Sequence, residues 1–106
     1  MFARRVSMEL KPNSGPELTE RLEKEIIPLL RKQKGFQDEI TFVAPRGTEA
    51  FGISLWDKAE NAEAYNTGAY TEVMKILSKI VEGKPQVETY EVCNSTFHKI
   101  AVPLAV

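Results

Sequence analysis

The chain has 106 residues, 42% hydrophobic and 27% charged. That balance excludes a disordered chain and suits one domain spanning residues 1–106. Fourteen basic residues against fifteen acidic ones leave a net charge of −1, which removes any electrostatic case for binding nucleic acid or an anionic membrane.

The first segment, Phe2 to Leu10, alternates. Phe2, Arg4, Val6, Met8 and Leu10 share one side; Ala3, Arg5, Ser7 and Glu9 take the other. This predicts a strand with one apolar face that includes a single arginine. The opening MFARRVSMEL has no apolar run long enough for a signal peptide. KPNSGP (Lys11 to Pro16) breaks the strand. In PELTERLEKEIIPLLRKQ, Leu18, Leu22, Ile26, Leu29 and Leu30 repeat at helical spacing. Pro16 suits the first turn and Gly35 a stop. Pro28 lies inside, where it removes a hydrogen bond, so a kink is expected there.

Two alternating runs follow, Phe36 to Ala44 and Ala50 to Trp56, joined by PRGTE as a hairpin. Phe36, Ile40 and Phe42 share a side of the first; Phe51, Ile53 and Leu55 share a side of the second. Asp57 and Glu60 are spaced for a capping box over a short helix through Tyr65. Asn66-Thr67-Gly68 interrupts it. A second helix then carries Tyr70, Val73, Met74, Leu77, Ile80 and Val81 on one stripe, ended by Gly83 and Pro85. Gln86 to about Ile100 reads as a long last strand. The tail AVPLAV is apolar but far too short to span a bilayer.

The order strand, helix, strand, strand, helix, strand predicts a ferredoxin-like βαββαβ fold of the α+β class, with a four-stranded antiparallel sheet and both helices on one face. The uncovered face would hold Ala3, Arg5, Ser7, Thr41, Val43, Ser54 and Trp56, a mixed set that suits a partner. A two-fold homodimer with the sheets face to face would bury it, and CNSTFHKI (Cys93 to Ile100) could reach over the partner. The alternative is a solvated face with a loose end.

The motifs IIPLLRKQKGF and ISLWDKAENAEAYNTGAY, with a hairpin between them, resemble those of the antibiotic biosynthesis monooxygenase-like family. The resemblance runs from about Val6 to Val92. It implies a dimeric α+β barrel and a pocket between sheet and helices in each subunit. It also implies a small monooxygenase that works on an aromatic or phenolic compound without a cofactor. The family's haem-degrading branch uses an asparagine on the first strand, an aromatic on the short helix and a histidine ligand beyond it. Those positions fall at Val6, Tyr65 and Lys75, so only the aromatic matches. A non-catalytic ligand-binding or stress-related homodimer of the same fold is the second reading.

Tyr65 and His98 are the candidate catalytic residues, and Met8, Phe42, Trp56, Asn66 and Tyr70 the candidate pocket lining. His98 is the one side chain that titrates near neutrality without perturbation, so it could act as a general base; otherwise it is a surface residue. Trp56 and Tyr65 could stack on a flat ligand, or plug the sheet edge and pack beneath the helix. Tyr70 opens an apolar stripe, so it serves the core or the pocket. Asn66 with Gly68 forms a helix break that could shape a pocket mouth. The single cysteine, Cys93, allows no internal disulfide and points to a reducing, cytoplasmic setting. It is expected in a small buried or interface position. One histidine and one cysteine make no spaced ligand set, so no metal is expected.

Overall fold

A computed structural model describes residues 1–100; the tail AVPLAV lies outside them. Strands β1 (Phe2–Leu10), β2 (Phe36–Val43), β3 (Glu49–Trp56) and β4 (Val81–Glu91) form one antiparallel sheet in the order β2-β3-β1-β4. The first helical arm is α1 (Gly15–Arg21), a π-helical turn (Leu22–Ile26) and α2 (Ile27–Arg31). The second is α3 (Ala59–Thr67) and α4 (Tyr70–Leu77). This is the βαββαβ topology that the pattern of the sequence predicts.

Pro28 is accommodated by the π-turn just before it. There the Ile27 amide donates to the Leu22 carbonyl, five residues back, and the ladder restarts in α2 with proline in its first turn. The polar side of this arm is a solvated face of ion pairs: Arg21 reaches Glu25 at 2.6 Å and Glu17 at 3.5 Å. Gly35 then reverses the chain at φ +82°, and a side chain there would run into Asn61, 2.5 Å from its Nδ2.

Five local expectations are corrected. The capping box does not form: Lys58 is the N-cap of α3, and the Asp57 carboxylate instead accepts from Asn61 Nδ2 at 2.7 Å. The second helix ends at Leu77, so Ile80 and Val81 belong to the turn and to β4. Gly83, at φ +68°, and Pro85 form a bulge between the Ser7 and Glu9 pairings rather than a helix stop. β4 ends at Glu91, and the chain to Ile100 contains no further strand. Cys93 is exposed rather than buried.

The two faces of the sheet also differ from expectation. Register pairs Phe2 with Trp56, Arg4 with Ser54, Val6 with Gly52 and Met8 with Ala50, all under the helices. Phe51, Ile53 and Leu55 therefore point to the open face. In β2 a register shift between Phe36 and Asp38 exchanges the faces, so Phe36 faces the helices but Ile40 and Phe42 do not. Thr41, Val43, Ser54 and Trp56 belong to the helix side. The open face carries Ala3, Arg5 and Ser7 as expected, with Ile40, Phe42, Phe51, Ile53, Leu55 and Tyr90 beside them. Ile40 and Phe42 are 51% and 43% exposed, and Phe42 stacks on Phe51 at 4.8 Å.

Candidate functional site

The core lies between the sheet and the two helical arms, built from Leu10, Leu18, Ile26, Leu30, Trp56, Tyr65, Val73 and Leu77 among others. Its packing leaves a cavity of about 60 Å³. The walls are apolar: Val6 and Met8 from β1, Leu18, Leu22, Ile26 and Leu30 from the first arm, and Val73 and Leu77 from α4. Six polar side chains join them: Arg4, Glu39, Thr41, Ser54, Tyr65 and Tyr70.

Arg4 is the unusual member. It is 2% exposed, and no carboxylate among the described residues reaches it as an ion pair. Its Nη2 donates to Asn66 Oδ1 at 2.6 Å, the one hydrogen-bond acceptor it has among the described residues. Asn66 lies in the last turn of α3, which runs on to Thr67, and the helix holds its amide over β1. The guanidinium also lies over two aromatic faces, 4.1 Å from the centroid of Tyr70 and 5.1 Å from that of Tyr65. Burying an ion costs several kcal/mol. One neutral hydrogen bond and two ring faces at ~2 kcal/mol each offset only part of that.

Burial pushes the Tyr65 hydroxyl pKa well above its usual range, and the nearby Arg4 charge opposes this only partly. Tyr70 shifts upward for the same reason. Both phenols are therefore protonated at neutral pH and act as hydrogen-bond donors. The Tyr70 hydroxyl is buried without a hydrogen-bond partner among the described residues. Ser54 Oγ accepts from Trp56 Nε1 at 2.9 Å, which leaves its own proton free to donate.

Glu39 is half-buried, and desolvation raises its pKa above the ordinary 4.5, against the lowering effect of its hydrogen bond with Thr41. The raised value means that the folded chain binds more protons than the unfolded chain in the window just above pH 4.5. Stability from this group is present below that window and is lost as pH rises through the folded value. Glu39→Gln should flatten this part of the stability profile, read as the urea midpoint from pH 4 to 7. An unchanged difference between variant and parent across that range would refute the assignment.

Of the residues singled out from the sequence, Met8, Tyr65 and Tyr70 line the cavity, and Asn66 stands behind Arg4. Trp56 does not line it. It is fully buried, stacked on Tyr65 at 5.0 Å and edge-on to Phe36 at 5.6 Å. A ring inserted between Trp56 and Tyr65 would need about 7 Å, two contact layers of roughly 3.5 Å. Phe42 lies on the opposite face of the sheet. His98 is also remote, since its Nε2 meets Asp38, whose register position is on the open face. The segment after β4 thus crosses its own sheet toward β2. Lys75 is exposed and paired with Glu72 at 3.5 Å. Arg4, Glu39, Thr41 and Ser54 are the polar cavity residues that were not singled out for the site. For Arg4 the signal was present, a lone charge in register with Phe2, Val6, Met8 and Leu10. For Glu39 and Ser54 it was hidden by the strand faces. Among the described residues no group of three His, Cys, Asp or Glu side chains could hold a metal ion, and no helix is long and apolar enough to cross a membrane.

No family model matches the chain, and no curated protein matches it. Solved structures do. The monooxygenase ActVA-Orf6 of Streptomyces coelicolor, in complex with nanaomycin D, superposes with a TM-score of 0.75 at 18% identity over 92% of both chains. NE2512 of Nitrosomonas europaea, of unknown function, gives 0.74 at 16% identity, covering 96% of this chain and 95% of that one. The haem degrader MhuD of Mycobacterium tuberculosis, with two haems in its active site, gives 0.72 at 17% identity, covering 91% of this chain and 99% of that one. The chain has the ferredoxin-like fold of these proteins. Its neighbours by fold include proteins of Bordetella bronchiseptica and Nitrosomonas europaea named as antibiotic biosynthesis monooxygenases, the family that its motifs resemble.

Proposed function

We propose that the protein is a small monooxygenase of the antibiotic biosynthesis monooxygenase-like family, acting on an aromatic or phenolic compound in the cavity between sheet and helices. The observation that carries this is a largely apolar cavity between sheet and helices with Arg4, Glu39, Tyr65 and Tyr70 grouped on its wall, in a fold shared with a monooxygenase. Its volume of about 60 Å³ is well below the ~300 Å³ of a ligand site, so binding must displace wall side chains such as Met8 and Leu22.

The chemistry needs no cofactor if the substrate supplies the electrons. Oxidation of a ring CH₂ to C=O breaks two C–H bonds and releases four electrons. Those electrons reduce dioxygen, with one oxygen atom kept in the product and the other leaving as water. The protein's part is to remove a proton, hold the resulting anion and exclude water. Glu39, with its raised pKa, accepts the proton; Arg4 stabilises the anion; the Tyr65 hydroxyl orients it. His98 lies across the sheet and takes no part.

Homodimerisation through the open face belongs to the same proposal, in a cytoplasmic setting. The apolar run of Ile40, Phe42, Phe51, Ile53 and Leu55 is the surface that it would bury. Oxygen uptake with a panel of hydroxylated aromatics tests the catalytic reading. Uptake should fall roughly 10–100-fold in Tyr65→Phe, the range for loss of one positioned proton donor, and stay within about twofold in His98→Ala. Ligand binding with no oxygen uptake would favour the non-catalytic binding protein.

A further inference from the structure

The charge balance of the cavity is incomplete. Arg4 is buried without a counter-ion, and its guanidinium has five N–H donors but one acceptor among the described residues, Asn66 Oδ1. Next to it the buried Tyr70 hydroxyl has no partner, and the Ser54 hydroxyl has a proton to give. Tyr70 is itself 8% exposed, so open solvent does not satisfy it. Three donor groups therefore face one largely apolar cavity, whose other polar side chains are Glu39, Thr41 and Tyr65. A buried donor without an acceptor is costly, and a ligand acceptor would recover that cost.

We propose that the cavity seats the carboxylate of an aromatic carboxylic acid against the Arg4 guanidinium, with the Tyr70 and Ser54 hydroxyls as flanking donors. This deepens, and rests on, the reading of the cavity as the substrate site. A planar carboxylate matches the guanidinium fork and accepts two parallel hydrogen bonds. The free volume of about 60 Å³ is that of roughly two waters, which is head-group size. The attached ring then lies along Val6, Leu18, Leu22 and Ile26. Glu39 is the competing anion within the chain. Its carboxyl accepts from the Thr41 hydroxyl and forms no ion pair with Arg4 among the described residues.

The test compares 1-hydroxy-2-naphthoate with its neutral amide by calorimetric titration. The intact protein should bind the carboxylate at least tenfold more tightly. Arg4→Met, of similar length and without charge, should bring the two compounds within about twofold while its unliganded Tm stays level or rises, because a buried unpaired ion is removed. If the variant does not fold, the comparison in the intact protein decides alone. Equal affinity for the two compounds, or a tenfold preference that survives in Arg4→Met, overturns the proposal. Oxygen uptake is read separately. Selective binding without uptake keeps the anion site and removes the oxygenase. Uptake with phenols and no preference for the carboxylate does the reverse.

Discussion

Trp56→Ala should lower the stability of the protein by about 3–5 kcal/mol, the range for deleting a large buried aromatic. Trp56 is fully buried, at the point where β3 enters α3. It stacks on Tyr65, meets Phe36 edge-on and pairs across the sheet with Phe2. Its removal leaves a void that these rings cannot all fill, and leaves Ser54 Oγ without the donor it now accepts from. Because Tyr65 rests on the tryptophan, the cavity wall loosens as well. At ~4–8 °C per kcal/mol for a domain of this size, the Tm should fall by roughly 15 °C or more. A fall of less than about 5 °C would show that Trp56 is not the keystone of this packing. Trp56→Phe, which keeps a ring on Tyr65, should recover a good part of the loss.

Phe42→Lys should convert a dimer into a monomer of unchanged fold. Phe42 is on the edge strand β2 and half exposed, so a lysine there reaches water in the single chain. In a two-fold assembly of open faces each substitution counts twice. Two lysines desolvated against Phe51, Ile53 and their copies would cost several kcal/mol, enough to raise the dissociation constant by roughly 1,000-fold. Sedimentation should give twice the 11.9 kDa chain mass for the parent and the single mass for the variant, with matching far-ultraviolet spectra. A parent that sediments as a single chain removes the dimer from the proposal.

The topology was legible in the sequence because each element has its own period, from the alternation of Phe2 to Leu10 to the stripe of Leu18, Leu22 and Ile26. The facing of the central strands was not. Phe51, Ile53 and Leu55 outweigh their alternating neighbours Ala50, Gly52 and Ser54, so alternation turns them inward and Trp56, in register with the small residues, outward. In the fold the inward places belong to Ala50, Gly52 and Ser54, small residues that leave room for Arg4, Tyr65 and Tyr70 beneath the helices. The bulge near Phe36 compounds this, since one extra residue exchanges the faces of β2 without any change in composition. That is why Glu39 could not be assigned to the cavity from its position in the chain. Ile80 and Val81 continue a helical stripe by spacing, yet the helix stops before them. Local periodicity does not see the sheet edge that β4 pairs with. Tyr65 and Tyr70 were recognisable as candidates because the helix break at Gly68 brings two aromatic residues together. Arg4 needed the physical reading, a charge in a core-facing register with no carboxylate partner.

The central claim is that the ligand sits between sheet and helices, on Arg4 and Tyr70. Its most direct measurement is a nuclear magnetic resonance titration with 1-hydroxy-2-naphthoate, following the Arg4 side-chain N–H signals and the Tyr70 ring. Both should shift and saturate together, with Met8 and Tyr65 alongside, while Phe42 and Phe51 on the open face stay fixed. Shifts confined to the open face, with Arg4 and Tyr70 unmoved at saturation, would contradict the account.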